Sequence, residues 1–256
     1  MSNTAARRAN GRRVERMLGE ATMHFAYREF QQAVQLLLEV IRLAPGIGHP
    51  YSTLGLIYEE MGQPLKAVKL FMMAAQLSKR DAGQWRQLAS LCIKHGELQQ
   101  ASYCLAKLTM LQPGDRDALF DRARLLTHLG QYKKAADGFA SLLEERPADA
   151  GLARRLAQCL YKAGRTEKAA EMLEKTLRRA AVEAVAGGGG GGYDAEAQHA
   201  GRLHCVHMLV ELEIELGRFA EAAERVSTLR SSSEAALPLE LDIKEGVCYA
   251  YLGELK

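Results

Sequence analysis

The 256-residue chain contains no run of 18 apolar residues and opens on no signal-peptide pattern, so neither a bilayer span nor secretion is expected and an intracellular protein is predicted. Catalytic patterns are missing as well. There is no Gly-x-Ser-x-Gly, no phosphate-cradling glycine loop followed by Lys and Ser or Thr, and no His-Glu-x-x-His. The chain therefore reads as a non-enzyme without a cofactor. Its five cysteines, Cys92, Cys104, Cys159, Cys205 and Cys248, include no Cys-x-x-Cys pair, and an odd number at irregular spacing predicts reduced packing thiols. His204, Cys205 and His207 are close in sequence, but on a helix Cys205 points about 100° away from His204, so no metal site is predicted.

What the sequence does have is a period. Alanine returns every 34 residues at Ala33, Ala67, Ala101, Ala135 and Ala169. Around it recur a small residue (Ala21, Gly55, Ala89, Ala123, Ala157), expected where two helices cross closely, and a glycine (Gly62, Gly96, Gly130, Gly164), expected where a left-handed residue ends the first helix. Only the first block departs at the glycine, with Arg28. Pro45, Pro113 and Pro147 fall where a second helix must stop. With Tyr51, Leu54, Gly55, Tyr58, Ala67, Phe71 and Ala74, the block at 48–81 resembles the tetratricopeptide repeat most fully, although Lys79 replaces its closing proline.

The predicted fold is accordingly all-α, a right-handed superhelical solenoid of tetratricopeptide units that bury their apolar faces by stacking. Residues 1–13 read as a basic leader, followed by five contiguous units at 14–47, 48–81, 82–115, 116–149 and 150–183. A glycine-rich linker or insertion follows at 184–202, with six consecutive glycines at 187–192. Residues 203–256 read as a sixth unit and the first helix of a seventh, which suggests a fragment of a longer protein.

Charge is unevenly placed. The formal net charge is +3, yet Arg7, Arg8, Arg12 and Arg13 precede any acid, so the remaining chain is near neutral; the leader is a candidate for contact with nucleic acid or an acidic subunit, against the competing expectation of an ordinary solvated, partly disordered terminus. The tetratricopeptide resemblance implies that first helices line a partner-binding groove. In the third to fifth units the implied groove positions are Arg86, Gln87, Ser90 and Lys94; Asp117, Phe120, Asp121, Arg124 and His128; and Arg154, Arg155, Gln158, Tyr161 and Lys162. Lys and Arg outnumber Asp six to two among them. This stretch is expected to clasp an acidic, partly hydrophobic segment, with Phe120 and Tyr161 as apolar anchors and the arginines on carboxylates; the competing expectation is that about half of these charges pair as ordinary solvated helix faces. The chaperone-tail clamp of some such arrays needs asparagines on first helices, whereas the only asparagines are Asn3 and Asn10.

Longer strings narrow the resemblance. Residues 19–25 (Gly-Glu-Ala-Thr-Met-His-Phe), 39–45 (Glu-Val-Ile-Arg-Leu-Ala-Pro), 51–60, 69–77, 85–89, 100–107 and 237–248 are similar to the tetratricopeptide subunit of general transcription factor IIIC. That resemblance implies a nuclear, non-enzymatic platform at promoters of transfer-RNA genes. Its implied partners are other factor IIIC subunits and the factor IIB-related and SANT-domain subunits of factor IIIB, with DNA reached through the complex. Family members are much longer and carry a second array. The runner-up reading is a tetratricopeptide scaffold of another assembly, such as a cell-cycle ligase or an RNA-processing complex, or a targeting array of a larger enzyme.

Overall fold

The computed structural model describes residues 2–78, 81–185, 193–232 and 238–253, and every regular element among them is a helix. The helices come in antiparallel pairs: α1 (Ser2–Ala26) with α2 (Phe30–Leu43), α3 (His49–Glu60) with α4 (Pro64–Leu77), and α5 (Ala82–Lys94) with α6 (Leu98–Leu111). They continue with α7 (Arg116–His128) and α8 (Tyr132–Glu145), α9 (Ala150–Lys162) and α10 (Thr166–Val185), α11 (Tyr193–Glu215) and α12 (Phe219–Ser232), and finally α13 (Leu239–Leu252). The chain divides into two compact units, Met1–Ala118 and Leu119–Lys256, each with cores of its own.

Helix boundaries follow from local chemistry. Each first helix from α3 to α9 ends before a glycine with positive φ, at Gly62, Gly96, Gly130 and Gly164, between 72° and 75°. Arg28 stands at the equivalent place and adopts the same left-handed conformation at φ 61°, where its Cβ crowds the backbone. Arg28→Gly is therefore expected to stabilise the N-terminal unit by about 0.5–1 kcal/mol. Urea denaturation followed by the fluorescence of Trp85, the chain's single tryptophan and buried in that unit, measures this. An unchanged or lowered midpoint would refute it.

At the other end of the first helices, an aspartate caps at the same 34-residue interval. Asp81 Oδ1 accepts from Gln84 N at 3.2 Å, Asp115 Oδ1 from Ala118 N at 3.1 Å and Asp149 Oδ1 from Leu152 N at 3.0 Å. Each satisfies an amide that the helix itself leaves without a partner.

Inside the N-terminal unit Ala21, Ala33, Leu37, Leu54 and Ile57 form one buried cluster. A Cβ on Gly55 would lie 2.6 Å from the Phe71 ring, so the small residue makes room for a flat side chain of α4 rather than for its backbone. In the C-terminal unit the fully buried Phe139 centres a cluster that runs from Ala123 to Leu212. There Ala123 and Gly138 meet closely, with 3.1 Å from the alanine methyl to an added Cβ.

The six-glycine tract lies outside the described residues, but the helices beside it reach further than the sequence pattern suggests. α10 continues to Val185 and α11 starts at Tyr193, ten residues before the repeat pattern resumes at Leu203. Beyond that point α11 and α12 are joined by a buried ion pair. Glu213, 2% exposed, accepts from Arg225 Nε at 3.1 Å and from Arg225 Nη2 at 2.7 Å. Arg230 of α12 in turn holds Glu245 and Asp242 of α13 at 2.5 and 2.7 Å.

All five cysteines are buried and free. Cys92 and Cys104, twelve residues apart, hydrogen-bond to each other between α5 and α6; that bond and burial push the Cys104 thiol up, while Cys92, as the acceptor, is lowered. The Cys205 thiol donates to Ala150 O at 3.2 Å, and burial raises it to about 11. Among the described residues no helix is long and apolar enough to cross a membrane, and no group of three or more His, Cys, Asp and Glu is placed to hold a metal ion. His204 is bonded to Ala200 O, and His207 faces α13.

Candidate partner-binding surface

In the C-terminal unit the predicted positions lie on α7 and α9. Phe120 meets buried Phe139 edge-on, with ring centroids 5.9 Å apart at 72°. The Arg155 guanidinium lies 5.3 Å from the Phe120 centroid. A buried ring thus carries a half-buried ring, and that ring carries a cation. Stacking of this kind fixes the guanidinium plane while leaving its donors for a carboxylate.

The other predicted residues are distributed around this stack. Arg124 is exposed and leans on Asp121 at 3.2 Å, three residues back on its own helix. His128 and Gln158 are exposed and Arg154 is half-buried. Lys162 turns to α8, its ammonium 5.3 Å from the Tyr132 centroid. Tyr161 is 42% exposed, and its hydroxyl donates to Glu215 Oε1 of α11 at 2.8 Å. That carboxylate, first as acceptor and then as a nearby charge, raises the Tyr161 hydroxyl and keeps it a neutral donor.

The N-terminal unit treats its two predicted cations differently. Arg86 is tied to Asp115, the aspartate that also caps α7, so it serves the scaffold and is not the free cation that the sequence suggests. Lys94 is exposed at the end of α5. Gln87 borders a cavity of about 380 Å³ whose apolar wall is built from Leu56 of α3, Phe71 and Ala75 of α4, and Leu91 of α5. The repeat pattern places Leu56 on a first helix but gives no sign of this cavity, which depends on where the Phe71 ring settles.

Of the leader arginines, Arg13 binds Glu39 of α2 at 2.6 Å and Arg12 is exposed, while the side chains of Arg7 and Arg8 lie outside the described residues. Residue 13 is followed by no break, since α1 runs through to Ala26.

A second cavity, of about 470 Å³, lies between α9, α11 and α13, beyond the fifth unit where the predicted groove positions stop. Met208, Leu212 and Val247 give it apolar surface, and Tyr161, Glu211, Glu215 and Lys244 supply its polar groups. Lys244 Nζ binds Glu211 Oε1 at 2.7 Å and approaches His207 Nε2 at 2.9 Å. Along the first helices of this unit the charge thus changes sign, from the arginines of α9 to the carboxylates of α11.

The tetratricopeptide-repeat family model matches residues 126–187. The chain is 30% identical over 168 residues to human general transcription factor 3C polypeptide 3, a match that covers 64% of this chain and 19% of the relative. It is 30% identical over 164 residues to the transcription factor tau 131 kDa subunit of Saccharomyces cerevisiae, covering 64% of this chain and 16% of the relative. A third similarity, 30% over 127 residues, is to the human protein O-mannosyl-transferase TMTC3, covering 47% of this chain and 14% of the relative. The chain spans less than a fifth of the length of each of these curated relatives. Paired helices at a 34-residue period and left-handed turns at fixed offsets give the chain a tetratricopeptide-repeat fold, and over about two thirds of its length its sequence is similar to the human transcription factor 3C and yeast transcription factor tau subunits.

Proposed function

We propose that the chain is a non-enzymatic, nuclear scaffold of a factor IIIC-type complex, and that it recruits factor IIIB by binding an acidic, partly apolar segment along α7 and α9. The observation that carries the binding mode is the stack of Arg155 on Phe120 on Phe139, with Arg124 exposed on the same helix as Phe120. The Asp121 contact to Arg124 is a surface pair worth about 0–1 kcal/mol, which an incoming carboxylate can displace. Support for the assembly comes from the similarity to the human and yeast subunits, and the partners in view are the factor IIB-related and SANT-domain subunits of factor IIIB together with other factor IIIC subunits.

The test is capture from nuclear extract on residues 1–256, with the Arg124→Glu/Arg155→Glu variant alongside. Wild type is expected to retain factor IIIB subunits and the variant to lose at least about tenfold of that signal, since hydrogen bonds to charged groups contribute about 1.5–3 kcal/mol each. Equal recovery on both baits would remove the binding mode. A second reading, a repeat array within a larger enzyme, is favoured by the O-mannosyl-transferase similarity but rests on a shorter match. Recovery of no transcription-factor subunit by wild type would remove the factor IIIC reading and leave the alternatives, this one among them.

A further inference from the structure

The cavity between α9, α11 and α13 holds a carboxylate whose charge is not neutralised. Glu211 is paired with Lys244, but Glu215 receives only the neutral hydroxyl of Tyr161 and has no cationic partner among the described residues. Beside it Val247 remains 38% exposed and Tyr161 42% exposed, with Met208 and Leu212 behind them. An uncompensated anion at the edge of an apolar surface matches one kind of side chain, a cation on a flexible hydrocarbon stem.

We propose that this groove takes a lysine or arginine side chain of the partner segment, its methylenes on Met208 and Val247 over the buried Leu212 and its cationic head on Glu215. Tyr161 holds the carboxylate in place through its 2.8 Å hydrogen bond, so the acceptor is set before the partner arrives. Tyr161 is also on α9, the helix that carries Arg155. The inference rests on the reading of α7 and α9 as an acid-binding stretch and deepens it: the same segment is acidic where it meets Arg155 and basic where it meets Glu215. Such polarity fixes the direction in which a segment lies, because the reversed segment sets like charges against each other at both ends.

Fluorescence anisotropy on the full chain tests this with two labelled peptides, each made in both sequence orders. One carries a glutamate triad and a lysine triad separated by six residues that include leucine; the other has glutamine in place of each lysine. Wild type is expected to bind the better-oriented bipolar peptide about tenfold more tightly than its glutamine counterpart. Glu215→Lys should erase that difference, and Glu215→Gln should reduce it several-fold. Equal binding of the two peptides by wild type, or an undiminished preference in Glu215→Lys, overturns the inference. If Arg124→Glu/Arg155→Glu leaves the glutamine peptide unaffected, the acid-binding reading fails instead, so the two failures are distinct. Circular dichroism of Glu215→Gln and Glu215→Lys guards against misfolding. If the charge reversal unfolds the unit, Glu215→Gln, which keeps an acceptor for Tyr161, decides the question: an undiminished preference in that variant overturns the inference.

Discussion

Replacement of Arg225 by alanine is expected to destabilise the C-terminal unit by about 3–5 kcal/mol, because it leaves the Glu213 carboxylate buried without its cation. Both Glu213 oxygens accept from Arg225, and the nearby Glu174 and Glu221 offer only like charge. Burial holds the Glu213 carboxyl above the ordinary carboxylate range, against the downward pull of Arg225. The folded unit therefore binds this proton more tightly than the unfolded chain does. The cost of the buried charge is absent below the unfolded pKa, grows as pH rises towards the folded pKa and is complete above it. Removing Arg225 raises the folded pKa further, so the deficit of Arg225→Ala should be larger at neutral pH and shrink on acidification. Urea unfolding followed by circular dichroism at several pH values measures it, with Trp85 reporting the other unit as an internal control. A deficit below about 1 kcal/mol at neutral pH, or one that grows on acidification, would show that the pair is not what holds α11 to α12.

Phe139→Ala should cost a similar amount, about 3–5 kcal/mol, since the ring is 1% exposed and central to the larger cluster. The consequence reaches the surface. Phe120 loses the edge-on partner that sets its tilt, and Arg155 loses a fixed platform. Phe139→Leu, which keeps most of the volume, is expected to recover much of the stability but not the orientation of Phe120. Partner capture should then remain weakened in a protein that is nearly as stable as wild type. Full capture by Phe139→Leu would mean that Phe120 and Arg155 need no support from below.

Much of this architecture is legible along the chain because the repeat writes the same instruction every 34 residues. Gly62, Gly96, Gly130 and Gly164 all take the left-handed turn, and even the departure at Arg28 marks the place where the turn occurs with strain. The capping aspartates Asp81, Asp115 and Asp149 carry the same period and are open to the same reading. The limits of the glycine-rich stretch are less legible, since Tyr193-Asp-Ala-Glu-Ala-Gln is good helix-forming sequence that continues the pattern of neither neighbour. Charge partners are the hardest to foresee. Arg86 finds Asp115 across 29 residues, and Tyr161 finds Glu215 across 54, through an insertion that shifts the register. Offsets on one helix predict Arg124 with Asp121 but say nothing of contacts between helices.

The five buried thiols divide the protein into separately timed parts. Because Cys92 and Cys104 lie on α5 and α6, Cys159 on α9, Cys205 on α11 and Cys248 on α13, none is reachable by a water-borne reagent until its own helices part. The rate at which each is alkylated under native conditions is then a clock for one helix pair, readable by mass spectrometry without introducing a probe. A partner that seats on α9 to α13 would slow the clocks at Cys159, Cys205 and Cys248 and leave the one at Cys92 running.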